Sequence, residues 1–219
     1  MSDFSIRNPK KSDEKDLIEV VHKTGFFGKD LAGRKLFDDK KLWAYLWLLH
    51  YIRYERENCF VVFDGKKRKT VGYVIGTADT SGYLKRFKKD MKNRIKFRVC
   101  CYTSWRYPRT LKTFIKIMKS SGENGDYADG FSIEYPAHFH MNLLPGYQGR
   151  GLGSKLLNRF EEKMRKDGIR GINIGTTSLN EKALPFYKKH GYKICFETPT
   201  KWLGIYGKEC MFYRMIKKL

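Results

Sequence analysis

The sequence predicts an α/β protein, and three observations carry that prediction. From residue 138 onward the chain reads strand, glycine loop, helix, strand, helix, strand, an order that builds layered α/β domains. Upstream, Cys59 to Phe63 and Thr70 to Ala78 are rich in β-branched and aromatic residues and flank the turn Asp64-Gly65-Lys66-Lys67, which predicts a hairpin. Composition supplies the material for a core: the 219 residues are 41% hydrophobic and 15% aromatic.

The elements follow in order. Phe4 to Arg7 reads as a short first strand. Ser12, followed by Asp13, Glu14 and Lys15, reads as a helix N-cap with an acidic first turn, and Leu17, Ile18, Val20 and Val21 give that helix an apolar face. Asp38 to Tyr54 reads as one helix, apolar around most of its circumference. Residues 80–130 are the least regular part. They hold two candidate helices, Tyr83 to Lys96 and Thr110 to Met118, and end in the loop Ser120-Ser121-Gly122-Glu123-Asn124-Gly125-Asp126. The segment reads as an insertion over one end of a sheet within a single domain spanning 1–219.

Beyond it, His138 to Leu144 is a strand, Gln148 to Gly153 a glycine loop, and Ser154 to Lys166 a helix with Leu156, Leu157, Phe160 and Met164 on one side, stopped by Gly168. Ile172 to Thr176 is a strand. Asn180 to His190 is a helix closed by Gly191, with Asn180 as its N-cap. Tyr192 to Phe196 and Glu209 to Ile216 are the last strands.

Charge and cysteine usage narrow the function classes. Lys and Arg number 45 against 23 Asp and Glu, a formal net charge of +22. Such a balance suits phosphate-rich nucleic acid, or attraction of an anionic ligand. The basic residues are spread along the chain instead of forming one block, which reads as a lysine-decorated surface and makes nucleic acid the weakest of the readings. The five cysteines show no metal-ligand spacing, so no metal is expected, and free thiols imply a reducing, cytoplasmic setting. The longest apolar run, Ala44 to Leu49, is too short to cross a bilayer, and Met1 to Ser5 has no signal-like layout. No membrane partner is expected; a homodimer stays open.

The chemistry concentrates in the glycine loop. Gly149, Gly151 and Gly153 lie between a strand and a helix, where glycine permits positive φ and close approach of a ligand to the backbone. The unpaired N–H groups and dipole of the following helix suit a pyrophosphate, and Arg150 and Lys155 add positive charge. The spacing is neither that of a P-loop nor that of a dinucleotide fingerprint. On the spacing alone, a tight strand-to-helix turn remains an equal reading.

Gln148-Gly149-Arg150-Gly151-Leu152-Gly153 matches the [Q/R]-x-x-G-x-[G/A] motif of the GNAT superfamily of N-acetyltransferases. Asn180-Glu181-Lys182-Ala183-Leu184-Pro185-Phe186-Tyr187-Lys188-Lys189-His190-Gly191-Tyr192 resembles the superfamily's downstream helix and strand, with Tyr192 where Phe is usual. The resemblance spans most of the chain. More narrowly, Tyr135-Pro136-Ala137-His138 and Asp79-Thr80 resemble a bacterial subgroup similar to the acetyltransferase-like domain of O-GlcNAcases, in which Asp often stands where this chain has Asn142.

The resemblance implies a GNAT fold: a mixed central sheet of about six to seven strands flanked by helices, with the insertion between the third and fourth strands. It implies acetyl-CoA as co-substrate and direct transfer of the acetyl group to an amine of a small molecule or peptide. The implied cofactor contacts are Leu143, Leu144, Gln148, Gly149, Arg150, Gly151, Leu152, Gly153, Ser154, Asn180 and Phe186. Tyr187 would assist the leaving thiolate, since a phenol can donate a hydrogen bond or a proton to it. His138 and His140, two apart on one strand, are candidate bases, with Glu134 and Asp79 as alternatives. In the insertion, Trp105, Tyr107, Arg106 and Arg109 are candidate walls of an acceptor pocket; Asp79 also counts on that side. A second reading is a catalytically silent CoA-binding module of the same fold, prompted by Asn142.

Overall fold

In the computed structural model, residues 3–123, 133–200 and 210–219 are described. Seven strands form one mixed sheet: β1 (Phe4–Arg7), β2 (Phe60–Asp64), β3 (Lys69–Thr77), β4 (Ala137–Leu143), β5 (Gly171–Thr177), β6 (Lys193–Thr200) and β7 (Cys210–Lys218), in the order β1-β2-β3-β4-β5-β7-β6. All neighbours are antiparallel except β4 and β5, which run parallel. The expected hairpin is β2–β3, and the expected insertion falls between the third and fourth strands. The loop residues Asn124 to Asp126, the end of the insertion at Gly130, and Glu209 lie outside the described residues.

Two cores sandwich the sheet. On one face, α7 (Leu152–Lys166) and α8 (Ala183–Lys189) cover Phe60, Val62, Val74, Phe139, Ile172 and Ile174. The predicted stripe of α7, Leu156, Leu157, Phe160 and Met164, is the buried stripe. Gly168, at φ 74°, ends the helix: its N–H bonds Arg165 O and that of Ile169 bonds Met164 O, a paired closure that needs a left-handed residue. On the other face, α1 (Glu14–Lys23), α2 (Lys40–Trp47) and α3 (Leu49–Tyr54) bury Leu17, Val20, Leu42, Trp43 and Leu49 against Val61, Tyr73 and Ile75. Alternation along β4 follows. Ala137 and Phe139 join the α7 core, while His138, His140 and Asn142 point to the α1–α2 side.

Several local expectations are corrected. Ser12 is not a cap: Lys11–Asp13 is a 3₁₀ turn, and the Asp13 carboxylate accepts from Lys10 N (2.6 Å), Arg7 (2.7 Å) and Thr70 Oγ1 (2.8 Å). The single helix expected over Asp38 to Tyr54 breaks at Leu48 (φ −134°, ψ −55°) into α2 and α3. Asn180 does not cap α8. The helix begins at Ala183, whose N–H bonds the Asn180 carbonyl.

The insertion is helical: α4 (Thr80–Arg98), a π-helical turn (Val99–Thr103), α5 (Ser104–Arg106) and α6 (Pro108–Glu123). Asp39, 1% exposed, anchors it. Its carboxylate caps α2 through Leu42 N (3.0 Å) and accepts from Arg98 (2.7 Å) and Thr103 Oγ1 (2.7 Å). A buried carboxylate needs such complete pairing to be tolerated.

Candidate functional site

The parallel pair β4–β5 is joined only at Ala137↔Ile172 and His138↔Asn173, although each strand runs for seven residues. Past that point the strands diverge. Asn173 staples the closed end: its Nδ2 donates to Tyr135 O (2.7 Å) and Ala137 O (3.1 Å). The opening is a cavity of about 520 Å³. Phe139, His140 and Asn142 line it from β4, and Ile174, Gly175, Thr176 and Thr177 from β5. Trp43 and Trp47 of α2, Thr80 and Leu84 of α4, and Phe212 and Arg214 of β7 complete much of its wall. Backbone groups of two diverged strands lack each other as partners, so an extended ligand bearing amides can pair with them.

Beyond the end of β4 lies the glycine loop. Gly149 and Gly151 adopt φ 75° and 73°, and an added Cβ at either would meet open space, so the loop presents bare backbone outward. Gly151 is the N-cap of α7, which places the unpaired first-turn N–H groups of Leu152, Gly153 and Ser154 at the loop. The helix starts two residues before the expected Ser154 for this reason. Gly153 packs beside Leu143 and Phe186. Gln148 is internal to the turn: its Nε2 donates to Leu143 O (3.0 Å) and its Oε1 accepts from Lys182 (3.0 Å). Arg150 and Lys67 flank the loop, each within 6 Å of the Tyr147 ring (5.7 and 5.3 Å). Ser154 Oγ meets His190 Nε2 at 3.0 Å, tying α7 to α8. This dense set of donors and cations fits a polyphosphate.

The two histidines differ. Both nitrogens of His138 are engaged, Nε2 with Tyr51 OH (2.5 Å) and Nδ1 with Thr80 Oγ1 (2.9 Å). His140 makes ring contacts with Trp47, Tyr51 and His138 and no hydrogen bond with a described residue, and it lines the cavity. Burial pushes His138 down to about 3, with His140 and Arg214 adding to the effect, and pushes His140 down to about 4. Both are neutral at physiological pH. Asn142 Nδ2 donates to Tyr73 OH (2.8 Å) across the β3–β4 pair.

Tyr187 is buried, its ring 5.9 Å from Phe139 and 5.6 Å from Tyr192. Its hydroxyl bonds no described residue, and burial raises its pKa, so it stays protonated. Cys59 is no candidate nucleophile: burial pushes its thiol up and it donates to Glu55 O (3.1 Å).

Other expected residues are not among those lining the cavity. Glu134 is exposed and pairs with Lys218 (3.3 Å). Asp79 caps α4, accepting from Gly82 N (2.9 Å). Trp105 is 69% exposed, with its indole bonded to Cys101 O (3.0 Å); Tyr107 stacks near Tyr102. Arg106 ends the short α5, and Arg109 pairs with Asp38 (3.4 Å). The insertion reaches the cavity through Thr80 and Leu84 instead, because α4 starts directly at the end of β3. Asn180 does line the cavity. Sequence reading missed Trp43, Trp47, Asn173 and Arg214. For Asn173 and Arg214 a signal existed: each is polar within an apolar strand.

An open mixed sheet, a parallel pair splayed at its centre and a glycine loop at the end of the splayed strand define the class: a GNAT-type fold built around a gap for an extended ligand. Residues 130–192 match the model of the Acetyltransferase (GNAT) family. That stretch includes β4, the glycine loop, α7, β5 and α8.

Among curated proteins it is similar to an S-alkylcysteine N-acetyltransferase of Bacillus subtilis (strain 168), 36% identical over 67 residues, covering 29% of this chain and 38% of that protein. An acetyltransferase of Sodalis glossinidius is 27% identical over 70 residues, covering 32% of this chain and 49% of that protein. The matches thus span less than half of each curated relative. Among solved structures, SsHAT superposes with TM-score 0.74 at 22% identity over 98% of both chains. The acetyltransferase yncA of Salmonella typhimurium, solved with acetyl-CoA, gives 0.58 at 16% identity over 100% of this chain and 95% of that one. No helix among the described residues is long and apolar enough to cross a membrane.

Proposed function

We propose that the protein is an N-acetyltransferase that moves an acetyl group from acetyl-CoA directly to an amine of a small molecule or peptide. The single observation that carries the reading is the gap between β4 and β5, which opens at one end onto the glycine loop and at the other onto a lined cavity. The CoA pyrophosphate would sit on the first-turn N–H groups of α7, with Arg150 and Lys155 nearby. The pantetheine arm would lie along the gap, past Leu143, Leu144 and Phe186, pairing with the freed edge of β4, and Asn180 would contact it from the far side.

In the reaction the amine nitrogen forms a bond to the thioester carbonyl carbon and the carbon–sulfur bond breaks. The amine gives up a proton, and the sulfur leaves as thiolate and takes one. The Tyr187 hydroxyl, protonated and without a hydrogen bond to any described residue, suits donation to that sulfur. The amine must arrive neutral. Two neutral imidazoles and the nearby cationic Arg214 make the cavity hostile to an ammonium, so the substrate's own proton is lost on entry or to water. His140, which lines the cavity, would accept a hydrogen bond from the amine, while His138 is occupied in holding Tyr51 and Thr80. The helical insertion would wall the acceptor side through Thr80 and Leu84.

Thiol release from acetyl-CoA across a panel of amines tests this reading, in the native protein and in Tyr187→Phe. Amine-dependent release is expected, with turnover in the variant reduced roughly tenfold to a hundredfold and acetyl-CoA affinity nearly unchanged. Binding without release for any amine would favour the silent module; equal turnover in the variant would remove Tyr187 from the chemistry.

A further inference from the structure

On the acceptor side of the cavity, Arg214 has no counter-charge among the described residues. Arg214 lies on β7 opposite Gly175 of β5, on the sheet face that also carries His138, Asn173 and Thr177. Its Nη1 donates to Asn173 Oδ1 (3.1 Å), an uncharged partner. Among the described residues no carboxylate lies within ion-pair reach of it, and its Nε is a buried donor with no partner. Burial lowers its pKa, and the Cys195 thiol only partly offsets the effect.

Three buried carboxylates elsewhere in the structure have counter-ions. Asp13 has Arg7, Asp39 has Arg98, and Glu161 has Lys217 at 2.7 Å. A half-buried guanidinium without an anion is costly, so it persists where something else supplies the anion.

Its surroundings describe that anion's carrier. Thr177 Oγ1, two residues along β5 on the same face, is another buried hydroxyl without a partner, and it also lines the cavity. Trp47 Nε1 is a third unpartnered donor in the same wall. Guanidinium and hydroxyl donors together match a carboxylate, which accepts through two oxygens. Gly175 keeps this corner open. An added Cβ there would meet the Phe212 ring at 2.9 Å and come within 3.9 Å of Arg214 Nη1. An apolar part of the acceptor side is formed by Val21, Trp43, Trp47 and Leu84. Arg214 also helps to depress His138, so its field reaches the middle of the cavity.

Taking the transferase reading as its basis, we propose that the acceptor is a carboxylate-bearing amine of the amino-acid kind with an apolar side chain. Arg214 and Thr177 bind its carboxylate, and the α2 tryptophans hold its apolar part. Fixing the carboxylate at Arg214 would direct the neighbouring amine toward the gap where the thioester lies. The same ion pair would neutralise Arg214 only when an acceptor of the right class is present, which makes the carboxylate a condition of tight binding and not merely compatible with it.

The test uses the native protein saturated with CoA and product analogues as probes: N-acetyl-methionine, N-acetyl-leucine and N-acetyl-phenylalanine, each against its carboxamide, by calorimetry. At least one acid is expected to bind about tenfold or more tighter than its amide. Arg214→Gln is expected to erase that difference and Arg214→Lys to retain part of it, with CoA affinity unchanged in both. Acids and amides of equal affinity, no binding of any acid while CoA binds, or an acid preference that survives Arg214→Gln would each overturn the proposal. Failure to bind CoA at all would instead sink the transferase reading on which it rests.

Discussion

The two ends of the β4–β5 gap are built by opposite means. The glycine-loop end is local: one consecutive stretch, Leu143 to Ser154, supplies backbone donors and left-handed glycines, and side chains matter little. The acceptor end is assembled from afar. Trp43 and Trp47, Thr80 and Leu84, His138 and His140, Asn173 and Thr177, and Arg214 come from five elements spread over the chain, and each contributes a particular side chain. A ligand held by backbone constrains sequence as a short motif. A ligand held by side chains constrains it only as scattered residues with no shared spacing.

The comparison breaks most easily at the loop. Gly151→Trp puts a large side chain at φ 73°, a region that non-glycine residues enter only with strain, and in the space where a phosphate would lie. Acetyl-CoA affinity should fall by about a hundredfold or more. Substitutions at the acceptor end, including those at Arg214, should leave that affinity alone. Normal binding by Gly151→Trp would erase the distinction between the ends.

The smaller effect is acid sensitivity at the acceptor end. The folded pKa values of His140 and His138, about 4 and about 3, lie below the ordinary value of 6.5. The folded state therefore holds them neutral, and below about pH 6.5 the unfolded chain takes up protons that the folded one refuses. Their stabilising contribution is complete above that pH, declines as pH falls toward about 4, and levels off below. His140→Gln should flatten the pH dependence of the urea midpoint in this window, by up to about 1.4 kcal/mol per pH unit. An unchanged slope would mean that His140 titrates normally.

What was legible in the sequence follows the same division. The strand, glycine loop and amphipathic α7 were readable because period, capping and turn chemistry are local; the stripe Leu156, Leu157, Phe160 and Met164 faces the core as its spacing demands. The break at Leu48 was not, since the run from Lys40 to Tyr54 has no proline or glycine to announce it. Asn180 looked like a helix cap but stands in a turn ahead of α8, because the chain needs three more residues before Ala183 can start the helix. Trp105 and Tyr107 attracted attention as aromatics in an irregular segment, whereas the residues facing the cavity from that segment, Thr80 and Leu84, are unremarkable types. Arg214 sat in a terminal strand, where its significance depends on a missing carboxylate, and absence of a partner is not written in a sequence.

The central claim is that the gap and glycine loop hold acetyl-CoA, and calorimetric titration of acetyl-CoA into CoA-free protein tests it most directly. Saturable binding in the micromolar range, at one molecule per chain, is the predicted result. No binding at millimolar acetyl-CoA would contradict the account and leave the +22 charge of the chain in need of another anion.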